Sequence, residues 1–389
     1  MPSENAGLIE NARIITTSGE WERGWLRWHG SEIVGMGPGQ ALDDEEIHVI
    51  DAQGLTLLPG FVDDHVHGAI GHDAMDANAE GLQAVAQFYA QHGVTAFLAT
   101  TWTDTSARIT KALETIAAVQ GPQVDGATLV GAHLEGPYLN PQKCGAQNLD
   151  LIRRADPEEA MDWLEKGVIR LLSLAPEYDE NLWLIQECAN RGITVSVAHS
   201  AASYDQVLRA VQLGLRHSTH TFNAMSELHH RNPGTVGAVL TTPEIRCELI
   251  ADNIHVHPAM MKLLLAAKGL EGVILITDAI RGTGMPDGEY PVDDRTIVVK
   301  NGVARLPDGT LAGSTVTMEK ALANFVKATG RPLADLWQVS SLNAAKAIGI
   351  SNRKGSLEVQ KDADLVLLDD DMNVYMTVAE GRIVYRRSE

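Results

Sequence analysis

Basic residues are scarce in this sequence. Its 389 residues include 31 lysines and arginines against 51 aspartates and glutamates, so the formal net charge at pH 7 is −20. Binding to nucleic acid or to an anionic membrane depends on clustered positive charge, so the composition argues against both kinds of partner. An anionic small molecule would need a local cationic group, because the overall field of the protein repels it.

Cysteine is also rare, and long apolar runs are missing. Cys144, Cys188 and Cys247 are odd in number, widely spaced and form no Cys-x-x-Cys pair, which indicates a reducing compartment without a disulfide framework. No run approaches the 18 apolar residues of a membrane span, and the first residues lack the pattern of a secretory signal. We therefore expect a soluble cytoplasmic protein.

Apolar segments of strand length recur along most of the chain, with helical patterns between them. The segments lie at about 57–66, 94–100, 128–134, 169–175, 194–198, 217–220, 247–252 and 273–277. Two of the helical patterns, within 82–89 and 204–211, place apolar residues at i, i+3, i+4 and i+7. Eight strands alternating with helices predict an α/β fold, a (β/α)8 TIM-type barrel, over residues 55–354.

The two ends of the chain contain only short strand-like segments. These fall at 12–15, 24–28 and 32–35 near the N-terminus, and at 363–369 and 382–385 near the C-terminus. Neither end has enough apolar residues for an independent core. We expect the N-terminal segment 1–54 and the C-terminal segment 355–389 to pair into one small β-sandwich beside the barrel.

Polar side chains capable of metal binding or acid–base chemistry follow several predicted strands. They are His65 and His67 after the first strand, Glu135 after the third, His199 after the fifth, His220 after the sixth and Asp278 after the eighth. The two-residue period of a strand places both members of the His-x-His pair on one face, although such a pair alone would also suit a structural role. The carboxyl ends of barrel strands share one face, so we expect all six groups to converge.

A converging set of this kind is hard to explain by packing. Buried carboxylates need partners, and a divalent cation supplies one. Nitrogen and oxygen ligands without a thiolate favour Zn²⁺, Fe²⁺ or a similar ion, and such ions support hydrolysis. Asp278 is then the natural general base. His133, two residues before Glu135, is interpreted as a supporting or core histidine.

The motifs around these residues resemble those of the amidohydrolase superfamily and, within it, the N-acetylglucosamine-6-phosphate deacetylase family. The resemblance covers nearly the whole chain and rests on Pro59-Gly60-Phe61-Val62-Asp63-x-His65-x-His67, His133-Leu134-Glu135-Gly136-Pro137, Thr219-His220-x-Phe222-Asn223-Ala224-Met225, Ala251-Asp252-x-x-His255, Thr277-Asp278-Ala279 and Gly309-Thr310-Leu311-Ala312-Gly313-Ser314. It implies an enzyme that removes acetate from N-acetylglucosamine 6-phosphate in amino-sugar catabolism.

The resemblance also implies a role for each matching residue. Glu135, His199 and His220 correspond to the ligands of a main divalent metal, zinc or iron, and His65 and His67 to ligands of a second ion that only some members hold. Asp278 corresponds to the catalytic aspartate. The residues implied in holding the sugar phosphate are Asn223, Ala224 and His255, Leu311 in a flap over 308–314, and Arg231 from the neighbouring subunit of a homodimer.

One position departs from the family pattern. Where members usually have Lys-x-Gly-Ala-His after the Glu-Gly-Pro motif, this sequence has Lys143-Cys144-Gly145-Ala146-Gln147. The resemblance implies that the last residue helps to polarise the scissile carbonyl. Because glutamine can donate a hydrogen bond but carries no charge, we predict that Gln147 is a neutral donor facing the acyl group.

Two other interpretations stay open. The protein could be another amidohydrolase, acting on a related N-acetyl amino-sugar phosphate, an acylated amino acid or a cyclic amide. Many of those use a carboxylated lysine after the fourth strand, where this sequence has Ser173-Leu174-Ala175-Pro176-Glu177, and Glu135 can bridge two ions instead. A non-catalytic scaffold on this fold would be expected to have lost ligands, yet all of them are present.

Overall fold

The computed structural model describes residues 6–41 and 48–388. Its strands, in chain order, are β1 (Ala6–Thr16), β2 (Gly19–His29), β3 (Glu32–Pro38), β4 (His48–Asp51), β5 (Thr56–Pro59), β6 (Phe61–Val66), β7 (Gly68–Ala69), β8 (His72–Asp73), β9 (Val94–Thr100), β10 (Thr128–Glu135), β11 (Ile169–Leu174), β12 (Thr194–Val197), β13 (Leu215–Ser218), β14 (Arg246–Ile250), β15 (Val273–Ile276), β16 (Gly288–Val292), β17 (Arg295–Lys300), β18 (Val303–Arg305), β19 (Leu365–Leu368), β20 (Val374–Ala379) and β21 (Arg382–Arg386).

The helices lie mainly between the strands of the central sheet. They are α1 (Ala79–Gln91), α2 (Ser106–Val119), α3 (Pro157–Glu165), α4 (Asp179–Asn190), α5 (Tyr204–Leu213), α6 (Gly234–Thr241), α7 (Pro258–Lys268), α8 (Met318–Thr329), α9 (Leu333–Leu336) and α10 (Leu342–Ala347). The first predicted helical pattern is α1, which buries Leu82, Val85, Ala86 and Tyr89 on one face. Among the described residues, no helix is long and apolar enough to cross a membrane.

Eight parallel strands form a barrel. Their order is β6, β9, β10, β11, β12, β13, β14 and β15. The barrel closes between its first and last strands through a parallel bridge from Val66 to Ala279 and through the hydrogen bond from the His67 N–H to the Ala279 carbonyl, 2.9 Å. Alternating helices cover the outside, so the predicted (β/α)8 architecture is confirmed.

The first predicted strand, 57–66, is in fact two strands in different sheets. β5 pairs with β1 and β19 of the terminal sheet, whereas β6 pairs with β9 in the barrel. The chain changes sheets at Gly60, where a Cβ atom would lie 2.2 Å from the side chain of Thr95. Both strands are buried, and the Pro59-Gly60 pair between them is the sequence signal of the break.

Both chain ends contribute to one mixed sheet, which confirms the predicted pairing into a β-sandwich. Its order is β21, β20, β19, β5, β1, β2 and β3, with β4 pairing to β1. The sheet encloses a second apolar core that includes Ile14, Trp28, Leu365 and Met376. The domain limits at residues 54 and 354 stay a prediction, and the hydrogen bonding of the sheet extends to Pro59.

A small antiparallel sheet follows the barrel. β16, β17 and β18 pair in sequence, and an isolated bridge joins Arg305 to Leu311. Arg305, Thr310, Leu311 and Gly313 line a cavity at the carboxyl end of the barrel. This sheet therefore places residues 305–313 over the same face that the predicted site residues occupy.

Candidate active site

The six side chains predicted to converge do meet at the carboxyl end of the barrel. They lie at or just beyond the ends of five barrel strands, with His65 and His67 both from β6, and each residue is at most 7% exposed. His199, His220 and Asp278 each lie two residues beyond their strands, with positive φ values of 43°, 29° and 48°. Residues other than glycine rarely adopt this backbone, and such strain is characteristic of functional sites.

Glu135 lies between two pairs of imidazoles. Its Oε1 atom is 3.2 Å from His199 Nε2 and 3.1 Å from His220 Nε2, and these two nitrogens are 3.2 Å apart. Its Oε2 atom is 3.2 Å from His67 Nε2 and 3.6 Å from His65 Nε2. One carboxylate thus connects two sets of nitrogen donors.

Asp278 completes the second set. Its Oδ1 atom lies 3.4 Å from His65 Nε2 and 3.4 Å from His67 Nε2. Its backbone N–H donates to the His65 carbonyl, 3.0 Å, and its own carbonyl accepts from the Ser314 N–H, 2.7 Å. The carboxylate is therefore held against the His-x-His pair by the strand that closes the barrel.

The hydrogen-bond partners of two rings indicate tautomers that fit a cation. His199 Nδ1 is 2.8 Å from the Lys143 carbonyl, which can only accept, so in the neutral ring Nε2 presents a lone pair to Glu135. His65 Nδ1 is 3.0 Å from Glu248 Oε2, and its Nε2 has no hydrogen-bond partner. Borderline divalent ions bind where imidazole lone pairs and carboxylate oxygens face one another in this way.

The charges at the site are strongly coupled. Burial disfavours the Glu135 carboxylate, but the imidazoles of His65, His199 and His220 hold its pKa well below the ordinary value. Burial likewise opposes ionisation of His67, while Asp278 and Glu135 raise its pKa to about 9. Because imidazoles bind a metal in their neutral form, metal binding here would release protons.

Gln147 contacts the same carboxylate. Its Nε2 donates to Glu135 Oε2, 2.9 Å, and its Oε1 accepts from the Thr103 N–H, 2.7 Å. The loop is held further by Arg295, whose Nη2 donates to the Ala146 carbonyl, 2.8 Å. One amide N–H of Gln147 is thus engaged with Glu135, and its contact with an acyl group stays a prediction.

A buried polar cluster beneath the site was missed by the sequence analysis. Glu248 Oε2 accepts from His65 Nδ1 and from the His220 N–H, each at 3.0 Å, and Glu248 Oε1 lies 2.9 Å from His217 Nε2. The carboxylate of Asp64, which has no hydrogen-bond partner, lies beside them with its Oδ2 atom 4.0 Å from His217 Nε2. The sequence signal was a single glutamate inside the apolar strand β14, since a buried glutamate needs a partner.

The site opens into a cavity of about 490 Å³. Four of the residues implied in substrate binding line this cavity: Asn223, Ala224, His255 and Leu311. The rest of the lining includes five of the six converging side chains, all but His65, and also Trp102, Lys143 and Arg305. His255 Nδ1 lies 2.7 Å from Asp252 Oδ2, which leaves Nε2 available to a ligand. His65 lies behind the lining, fully buried.

Arg231 is placed apart from this cavity in the single chain. It is exposed, and its Nη1 atom lies 2.7 Å from the ring of His230. Among the described residues that line the cavity, the arginine is Arg305. The structure of one chain therefore does not bring Arg231 to the site.

The arrangement of strands, imidazoles and carboxylates matches a known family. The model of the amidohydrolase family matches residues 56–384. The chain belongs to the amidohydrolase family. Members of this family typically depend on a metal. Two groups of side chains here could hold one, His65–His67–Asp278 and Glu135–His199–His220, and within each group the possible ligand atoms lie within 4.8 Å of one another.

Relatives are similar over the whole chain. N-acetylglucosamine-6-phosphate deacetylase of Lysinibacillus sphaericus is 37% identical over 97% of each chain. N-acetylgalactosamine-6-phosphate deacetylase of Escherichia coli O157:H7 is 36% identical over 97% of this chain and 98% of that one. The solved structure of an Asp-to-Ala mutant of N-acetyl-D-glucosamine-6-phosphate deacetylase from Mycobacterium smegmatis, in complex with N-acetyl-D-glucosamine-6-phosphate, has a TM-score of 0.91 and 32% identity, covering 98% of this chain and 99% of that chain.

Proposed function

We propose that this protein hydrolyses the acetamide bond of N-acetylglucosamine 6-phosphate and releases acetate and glucosamine 6-phosphate in amino-sugar catabolism. The observation that carries the proposal is the position of Glu135 between two imidazole pairs, with Asp278 facing one pair at 3.4 Å. Full-length similarity to deacetylases of this substrate supports it. The similarly related N-acetylgalactosamine-6-phosphate deacetylase makes the galactose epimer the second candidate substrate.

We propose one or two divalent ions per chain, zinc or iron, as the cofactor. Glu135, His199 and His220 would hold the main ion, and His65 and His67 a second ion that shares Glu135. Such an ion would polarise the carbonyl group of the substrate and lower the pKa of a water molecule. Glu248, behind His65, and the Lys143 carbonyl, behind His199, fix the tautomers that direct both Nε2 atoms into the site.

Asp278 is proposed to move the proton. Although burial opposes it, the neighbouring His65 and His67 keep the pKa of Asp278 below its ordinary value, so the group is a carboxylate at neutral pH. It accepts a proton from the attacking water as the C–O bond forms. It then gives that proton to the sugar nitrogen as the C–N bond breaks. The second proton of the water passes from the new carboxyl group to the released amine, so acetate leaves as the carboxylate and the amine as ammonium.

The sugar phosphate is proposed to occupy the part of the cavity lined by Asn223, Ala224 and His255, beneath Leu311. Because the protein is strongly acidic, the phosphate needs cations at close range. We propose that Arg231 reaches it from the second subunit of a homodimer, which agrees with its exposed position away from the cavity of its own chain. The three unpaired cysteines suit the reducing cytoplasm, where we place the enzyme.

The test is acetate release by metal-loaded protein from a panel of sugars. The panel contains N-acetylglucosamine 6-phosphate, its galactose and mannose epimers, the unphosphorylated sugars, an acylated amino acid and a cyclic amide. We expect kcat/KM to be highest for an N-acetyl amino-sugar 6-phosphate, and metal analysis of the loaded protein to approach two ions per chain. Preference for the amino acid or the cyclic amide would refute the proposed substrate class.

A further inference from the structure

Trp102 forms a rigid wall at the metal end of the cavity. The residue lies two positions beyond β9, is 5% exposed and lines the cavity. Its indole stacks on the imidazole of His67 with ring centres 4.0 Å apart and planes at 22°. Its Nε1–H donates to Asp73 Oδ2, 3.2 Å, while Asp73 Oδ1 accepts from the Met75 N–H, 2.9 Å. The ring is thus fixed by both its face and its edge.

This wall lies across the barrel from the residues proposed to hold the sugar. β9 is the second barrel strand and β13 is the sixth, so in a closed ring of eight strands they are diametrically opposite. Trp102 follows β9, and Asn223 and Ala224 follow β13. Gln147 lies on the Trp102 side, since its Oε1 accepts from the N–H of Thr103, the next residue.

The connectivity of the substrate then decides what Trp102 faces. In a sugar amide the carbonyl carbon lies between the sugar nitrogen and the acyl chain. With the sugar toward β13 and the carbonyl at the central carboxylates and imidazoles, the acyl chain extends toward β9. We infer that the Trp102 indole closes the acyl subsite and limits the acyl group to about the size of acetyl. This inference rests on the proposed function.

The experiment compares kcat/KM for the N-acetyl, N-propionyl and N-butyryl forms of glucosamine 6-phosphate in wild type, Trp102→Phe and Trp102→Ala. One methylene in a closed apolar pocket changes kcat/KM by about 10- to 200-fold, so the wild type should discriminate steeply against the longer chains. Trp102→Ala should reduce the acetyl-to-butyryl ratio by about tenfold or more, and Trp102→Phe should lie between the two. Leu311→Ala is the matched control, because it enlarges the flap side of the cavity and should leave the ratio unchanged.

Bound metal is measured in every variant, because the indole also supports His67. If Trp102→Ala loses metal, Trp102→Phe, which keeps an aromatic ring against the imidazole, supplies the comparison. An unchanged acetyl-to-butyryl ratio in metal-loaded variants would overturn the inference and leave the proposed function intact. A wild type inactive on all three amides, but active on another panel substrate, would overturn the proposed function itself.

Discussion

Replacing Glu248 by glutamine is the sharpest test of how the site is supported. One carboxylate oxygen of Glu248 accepts from both His65 Nδ1 and the His220 N–H, and these two histidines belong to different imidazole pairs. A glutamine carbonyl in that position keeps both hydrogen bonds but removes the charge. The NH₂ group of the glutamine would face His217 Nε2, which must then accept a hydrogen bond. The His217 ring can do so by carrying its proton on Nδ1, an atom without a hydrogen-bond partner in the structure. The fold should therefore persist.

The expected cost appears in metal affinity. Loss of the carboxylate behind a ligating histidine typically weakens metal binding by about 10- to 100-fold, which corresponds to about 1.4–2.7 kcal/mol. Because Glu248 contacts both pairs, the affinity of both proposed ions should fall. Complete removal by Glu248→Ala would also leave three buried donors unpaired, so its effect would mix metal loss with unfolding.

The measurement is chelator competition for zinc, with thermal unfolding of the metal-free protein as the check on folding. Glu319→Gln is the matched control, since Glu319 is also a buried carboxylate paired with a histidine, His92 Nδ1 at 2.9 Å, on helix α8. The control should bind zinc as the wild type does. Zinc affinities within threefold of wild type in Glu248→Gln would refute the reasoning.

Four further outcomes follow from the same structure. Asp278→Asn should keep the fold and at least one metal while kcat falls by about 10²- to 10⁴-fold, and more than a tenth of normal kcat would contradict the proton-transfer role. Arg231→Ala should raise KM mainly for phosphorylated sugars; an equal effect on unphosphorylated sugars, or a monomeric wild type at assay concentration, would contradict the shared site. Gln147→Ala should lower kcat with little change in KM, and Gln147→His should retain or raise activity on N-acetylglucosamine 6-phosphate; unchanged parameters in both would place the residue outside the reaction. Burial raises the pKa of Cys188 to about 12 and of Cys247 to about 11. A thiol reagent at pH 8 should therefore label only Cys144 in the native protein and all three cysteines in denaturant. Fast labelling of all three in the native protein would contradict the packing.

The sequence was sufficient to predict the barrel because strand spacing and helical periodicity are local properties. It was insufficient at Gly60, where the change of sheet depends on the approach of Thr95 and on pairing with β19, more than 300 residues away. The Pro59-Gly60 pair is a local signal of a break, but it does not tell which sheet each half of the segment joins.

The same limit applies to the site. Groups at strand ends could be predicted to converge, because barrel geometry brings every strand end to one face. The contacts of Glu248 and Trp102 could not, since each depends on which side chains come to lie beside it from other strands. The engagement of Gln147 with Glu135 is likewise a tertiary contact with no local signature.

The seam of the barrel runs through the site, and this has a consequence for folding. The Thr277 hydroxyl donates to Asp63 Oδ2 across 214 residues of sequence, and the adjoining Asp278 N–H donates to the His65 carbonyl. Contacts between such distant residues form slowly, because the intervening chain must first be ordered. The proposed metal ligands all come from the first six strands of the barrel, whereas the proposed proton carrier, Asp278, follows the eighth. The proposed proton carrier therefore reaches its place beside the His-x-His pair only when the ring closes between its first and eighth strands.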